Sequence, residues 1–147
     1  MPTAKDLRAE PPRRWSDELE GVLWLPRLID KARAARAGTL GNYLYGQSPE
    51  DRALLHKLDM GHREFFAIVD AAPDDAAVAR IVRERDPEAF SAAARWSRRF
   101  FHAQWPLMVA FDIDDGYVRT PLAAIVQPLA NGISGLVKRL WPVEWNR

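Results

Sequence analysis

Trp24-Leu-Pro-Arg-Leu-Ile-Asp-Lys-Ala-Arg-Ala-Ala-Arg-Ala-Gly38 is the stretch whose reading decides the fold of this chain. Leu25, Leu28, Ile29, Ala32 and Ala35 recur at helical spacing, Pro26 suits a first turn that has no use for its N–H, and Gly38 supplies a stop. Arg27, Asp30, Lys31, Arg33 and Arg36 fall between these apolar positions, so a helix here turns its charges toward water or a ligand. The same pattern continues downstream. Ser48 caps a helix with Pro49 in its first turn and Asp51 near its positive end, running to about Leu58. Asp59-Met60-Gly61 breaks it, and His62 to Val69 then spaces Phe65, Phe66 and Val69 helically. Asp74 caps a helix through Arg85 built on Val78, Ile81 and Val82; Asp86-Pro87 opens another through about Trp105, which Pro106 kinks or ends. The connections are short, so the expected fold class is all-α, a compact multi-helix single domain.

Two regions flank that body. Residues 1–20 read as a polar N-terminal arm, because Pro2, Pro11 and Pro12 favour extended backbone, and residues 21–147 as the helical domain. Asp112 to Val118, with acidic turn residues and Gly116, predicts a loop with room for a short edge strand. From Pro121 to Trp141 the chain becomes an apolar C-terminal helical section. Leu122, Ile125, Val126, Leu129, Ile133, Leu136, Val137 and Leu140 form a broad stripe beside a narrow polar one, with Pro128 and Gly132 expected to bend or interrupt it.

Composition narrows the function classes. A chain of 147 residues with 48% hydrophobic content buries a core without staples, and the absence of Cys removes disulfide frameworks, thiolate nucleophiles and Cys-ligated metal sites. A formal net charge of +1 argues against nucleic acid as a partner. The first twenty residues hold no apolar stretch of the signal-peptide kind, which together with the lack of Cys points to cytoplasmic residence.

Trp24-Leu-Pro-Arg-Leu-Ile-Asp-Lys-Ala-Arg33, followed by Ala37-Gly-Thr-Leu-Gly41 and Tyr43-Leu-Tyr-Gly46, resembles a bacterial family known as domain of unknown function 5069. The resemblance extends through the helix at Asp51 to Asp59, the Phe65-Phe66 helix and Val82 to Arg85, up to about Asp86. It implies a small helical body and supplies no catalytic residue, so function has to be argued from the site.

The candidate ligand-binding residues are Arg27, Asp30, Lys31 and Arg33 on the first helix, with Asn42, Tyr43 and Tyr45 in the glycine-framed loop that follows. Arg offers a planar fork, Lys a point charge and Tyr a hydroxyl, a set that holds a small anionic ligand, with Asp30 orienting an Arg. The simpler reading is i, i+3 pairing of Asp30 with Arg27 and Arg33 on a solvated face. Two functions follow. One is a non-enzymatic module binding a small anionic ligand or a protein partner, as a homodimer through the C-terminal section. The other is an enzyme on a small anionic substrate, with Arg27 and Lys31 as clamp, Asp30 as orienter or base, and Tyr43 or Tyr45 as acid.

Other constellations carry less. Arg95-Trp-Ser-Arg-Arg-Phe-Phe-His102 mixes basic and aromatic residues, but helical spacing puts Arg95, Arg98, Arg99 and His102 on one face and Trp96, Phe100 and Ala103 on a core face. His56, Asp59, His62 and Glu64 straddle a predicted break and match no metal-ligand spacing, so no metal or cofactor is expected. Asp112 to Gly116 fails the calcium-loop pattern, Gly132-Ile-Ser-Gly135 is not a nucleophile elbow, and no phosphate-binding glycine loop occurs. Lys138, Arg139, Trp141 and Trp145 would suit a membrane surface, yet polar and helix-breaking residues interrupt the apolar run, and packing on the domain or on a second copy is the better reading.

Overall fold

The computed structural model describes residues 2–140. In chain order its elements are β1 (Glu18–Leu19), β2 (Val22–Leu23), α1 (Leu25–Ala37), α2 (Pro49–Lys57), α3 (His62–Ala71), α4 (Asp75–Arg85), α5 (Pro87–Ala103), α6 (Trp105–Asp114) and α7 (Ala123–Leu140). The fold is all-α apart from one small antiparallel hairpin, which pairs Glu18 with Leu23 and Leu19 with Val22. Both residues of its turn, Glu20 (φ 49°) and Gly21 (φ 82°), are left-handed, the arrangement a two-residue hairpin requires.

The expected start signals operate. The Ser48 hydroxyl accepts from Asp51 N at 3.2 Å, the Asp74 carboxylate from Ala77 N at 2.8 Å and the Asp86 carboxylate from Ala89 N at 2.9 Å, each satisfying an N–H with no partner inside its helix. Gly38 closes α1 at φ 72°, its N–H turned back on the last carbonyls.

Helix α1 is the axis of the core. Leu25, Leu28, Ile29, Ala32 and Ala35 are buried, and α3, α2, α4 and α5 supply Phe65, Val69, Leu54, Val78, Val82 and Phe90 to the same cluster, joined by Leu58 just after α2. Trp24 stacks on Phe101, ring centroids 5.0 Å apart. In α5 the core stripe is Phe90, Ala93, Ser97 and Phe101, rather than the expected Trp96, Phe100 and Ala103; Trp96 and Phe100 are half-buried at its flank and Ala103 is exposed.

Residues 2–20 are irregular up to β1, as expected of the N-terminal arm, and the arm packs on the helical body. Leu7 is buried and its N–H donates to Thr39 O at 3.0 Å, while Arg13 and Arg14 tie the segment to α1, α4 and α6. The helix expected to reach Trp105 stops at Ala103, and α6 begins at Trp105 with Pro106 in its first turn and runs to Asp114, taking in residues read as a loop; no strand forms there among the described residues. Of the bend or interruption expected at Pro128 and Gly132, the interruption does not occur: α7 runs through both as one helix. The expected roles of Trp141 and Trp145 lie outside the described residues.

Ser97 makes a buried tie between hairpin and helix. Its hydroxyl accepts from Leu23 N at 3.1 Å and donates to Ala94 O at 3.0 Å. Ser97→Ala leaves a buried N–H without its partner, at a cost of about 1–3 kcal/mol. Urea unfolding should show the midpoint lowered by that amount with an unchanged slope.

Candidate functional site

Four charges on α1 point inward or sideways and each finds an opposite charge. Lys31 Nζ donates to both oxygens of Asp51, at 2.6 and 2.7 Å, with both side chains buried. Asp51 also accepts from the Trp24 indole N–H and from Gly46 N, each at 2.8 Å. Burial pushes the Lys31 ammonium down from its ordinary value, with the Asp51 charge opposing that. One turn earlier, Arg27 donates to Asp115 at 2.6 Å and to Arg13 O at 3.1 Å, lies 5.0 Å from the Trp24 ring centroid, and is flanked by Tyr43 and Phe111. The Tyr43 hydroxyl donates to the same Asp115 carboxylate at 2.8 Å. Burial works against the Arg27 charge, but Asp115 outweighs it and holds the guanidinium above its ordinary value.

These groups floor a cavity of about 540 Å³. Its inner wall is formed by Trp24, Arg27, Lys31, Tyr43 and Phe111; Asn42, Ser48 and Glu50 rim one side and Asp114 another. The roof is α7, through Val126, Gln127, Leu129, Ala130, Ile133 and Ser134. The volume falls within the range of small-molecule sites, and the mostly apolar wall with a few convergent polar groups is their usual composition. Gln127 donates to Asp114 O at 3.2 Å, and Lys138 to Gly41 O, so α7 is fastened to the rim at two points.

Two wall carboxyls have no cation of their own among the described residues. Glu50 is 5% exposed and is raised from its ordinary value by burial, against the pull of its own backbone N–H. Asp114 is pushed up to about 6, first by burial and then by the adjacent Asp115 charge. Arg27 Nε–H is buried without an acceptor.

Of the residues singled out in the sequence, Arg27, Lys31, Asn42 and Tyr43 line this cavity and the other three lie elsewhere. Asp30 binds Arg13 through its backbone N–H and its guanidinium, both at 2.8 Å. Arg33 donates to Asp75 at 2.6 Å, and Arg13 reaches the same Asp75 at 2.7 Å. Burial would raise Asp75, but these two guanidiniums outweigh it and hold the carboxyl below its ordinary value. Tyr45 is buried with its hydroxyl on His62 O at 2.6 Å. The solvated-face reading of α1 is therefore overturned: Asp30 pairs with the N-terminal segment, because Arg27, Asp30 and Lys31 are all nearly inaccessible. Sequence reasoning missed Asp51 and Asp115, the partners of Lys31 and Arg27, and the cavity-wall carboxyls Glu50 and Asp114. The signal for Asp51 was present but read only as a helix-start charge, and the acidic run at residues 112–115 was read as a turn. Glu64 pairs with Arg85, and among the described residues no group of three or more His, Asp or Glu could hold a metal ion.

The structure thus defines a small helical domain with a roofed cavity beside its central helix. The model of a family described as a domain of unknown function (DUF5069) matches residues 9–109, and the chain belongs to that family. The match extends past Asp86, where the sequence resemblance was placed, through α5 and into α6. It contains most of the cavity's inner wall, whereas Phe111, Asp114, Asp115 and all of α7 lie beyond it. A search of curated proteins finds no match.

Removing one member of a buried ion pair strands the other. Lys31→Met and Asp51→Asn should each destabilise the fold by about 3–5 kcal/mol, and the double substitution by less than the sum of the two. Denaturation midpoints of the three variants measure this coupling.

Proposed function

We propose that this domain is a non-enzymatic, cytoplasmic binding module that holds a small molecule beneath α7 and self-associates through the outer face of the same helix. The observation that carries the first part is the cavity itself, with an apolar roof on one side and uncompensated polar groups at its wall. The ligand expected from sequence was an anion clamped by Arg27 and Lys31. Each of those cations is held by a carboxylate at 2.6 Å, so an anion would have to displace Asp115 or Asp51, and a ligand that leaves both pairs intact is better supported. The enzyme alternative loses its intended base and one of its acids, since Asp30 and Tyr45 are engaged away from the cavity.

The second part rests on α7. Its half-buried positions, Ala123, Val126, Ala130, Ser134, Val137 and Lys138, form the face turned to the body. Ile125, Leu129, Ile133, Leu136 and Leu140 occupy an adjacent arc, with Leu122 just before the helix, and these residues are 54–67% exposed. No helix among the described residues is long and apolar enough to cross a membrane. The stripe offers roughly 600 Å² of apolar surface, the upper end of what a monomer leaves uncovered and most of one partner's share of a standard interface. It carries no charge to select a different partner, and a second copy brings an identical stripe.

Ala130→Trp, which fills the space under the roof, should weaken binding of the neutral apolar probe N-phenyl-1-naphthylamine at least tenfold with helical circular dichroism unchanged. Equal binding by the variant overturns the cavity. Sedimentation equilibrium should show a dimer that becomes a monomer on Ile125→Glu with Leu136→Glu; a monomeric parent overturns self-association.

A further inference from the structure

Charge accounting around the cavity names the class of ligand, an inference that rests on the small-molecule reading above. Two cations and four carboxyl groups stand in or directly behind its inner wall. Lys31 is matched by Asp51 and Arg27 by Asp115, each pair at 2.6 Å, so their fields cancel at short range. Glu50 and Asp114 remain. Both line the cavity, on different elements, and neither is reached by a cationic side chain among the described residues. Glu50 is more than nine-tenths buried. Its own backbone N–H and the more distant Lys31 and Arg27 charges offset only part of the desolvation a carboxylate suffers there, and no cation pairs with it directly, which suits a site whose missing partner is the ligand. The aromatic faces of Trp24, Tyr43 and Phe111 are already occupied by Arg27, so they are not a cage for the ligand's charge.

We propose that the cavity takes an amphiphilic amine, with its protonated nitrogen at one of the two unpaired wall carboxylates, Glu50 or Asp114, and its apolar body against Val126, Leu129 and Ile133 of α7. An ammonium supplies the missing countercharge without opening either internal pair, and the body covers roof side chains that face the space. Arg27 Nε–H, buried without an acceptor, adds a donor for a hydroxyl or carbonyl next to the amine.

The pH dependence has a definite sign. The groups facing Asp114 are Asp115 and Arg27, and those facing Glu50 are Asp51, Lys31 and Arg27. Asp114 carries its proton below about 6, so a cation binding there must expel it, and affinity falls as pH drops through that value.

The test compares octylamine, octanol and octanoate by titration calorimetry at pH 7.5 on the full chain. Octylamine should bind at least tenfold more tightly than octanol and octanoate more weakly than octanol. Glu50→Gln with Asp114→Asn should bring octylamine to the octanol value while leaving octanol binding unchanged, and the amine's advantage over octanol should shrink at pH 5. Octanoate binding as tightly as octylamine, or an amine advantage that survives the double substitution, overturns the amine and leaves the cavity standing. Binding of none of the three overturns the small-molecule reading itself.

Discussion

Asp51 has no exposed surface, and everything near it is arranged around that fact. A buried carboxylate is tolerated only when its oxygens are saturated by donors, and here Lys31 gives two hydrogen bonds, the Trp24 indole one and the Gly46 backbone one. These donors come from α1, from the residue preceding it and from the glycine-framed loop, while the acceptor sits in the first turn of α2. The contact therefore fixes loop conformation and helix placement together. Two local costs become intelligible. Trp24 adopts φ 72°, unusual for a bulky residue, and in doing so delivers its indole N–H to Asp51 and its ring to Phe101. Gly46 at φ 71° lies so close to His62 that an added Cβ would stand 2.7 Å from His62 Cβ, so the loop closes against α3 only with glycine there.

The remaining charges of α1 extend the same logic. Arg27 goes to α6's end, Asp30 to the N-terminal segment and Arg33 to α4, so each ionic side chain of the inner helix addresses a different element. Buried pairs contribute little net stability against well-packed apolar residues, but each is satisfied in one arrangement only, and a slipped α1 would strand several at once. The N-terminal segment has its order for this reason: Arg13 bridges Asp30 and Asp75, and Arg14 and Trp15 both bind Asp112.

Legibility in the sequence followed the range of each interaction. The α1 stripe, the caps at Ser48, Asp74 and Asp86 and the stop at Gly38 depend on residues within one turn, and they read correctly. Half of the candidate site was legible because α1 and its following loop are adjacent in sequence, which brought Arg27, Lys31, Asn42 and Tyr43 together. Their partners were not. Asp115 meets Arg27 across 88 positions and Arg13 meets Asp75 across 62, separations at which spacing carries no information. The helical charges therefore looked like a solvated face, since charge alone does not distinguish a residue facing water from one facing a buried countercharge. In α6 the misreading had another cause: Asp112, Asp114 and Asp115 have turn propensity, and the tertiary partners of Asp112 and Asp115, Arg14 and Arg27, override it.

Helix α7 is where the two proposed activities meet. One face closes the cavity and packs on α6, while the neighbouring arc is apolar and exposed and none of the helix's residues is fully buried. A ligand lying against Val126, Leu129 and Ile133 adds contacts that exist only when the roof is seated, and a second copy covering the outer stripe adds others. Leu129 and Ile133 belong to both sets. Were both proposed events to occur, each would hold the roof in the position the other uses, and whichever came first would lower the cost of the second. Linkage then runs both ways: ligand that tightens the dimer must itself be held more tightly by the dimer, by the same factor.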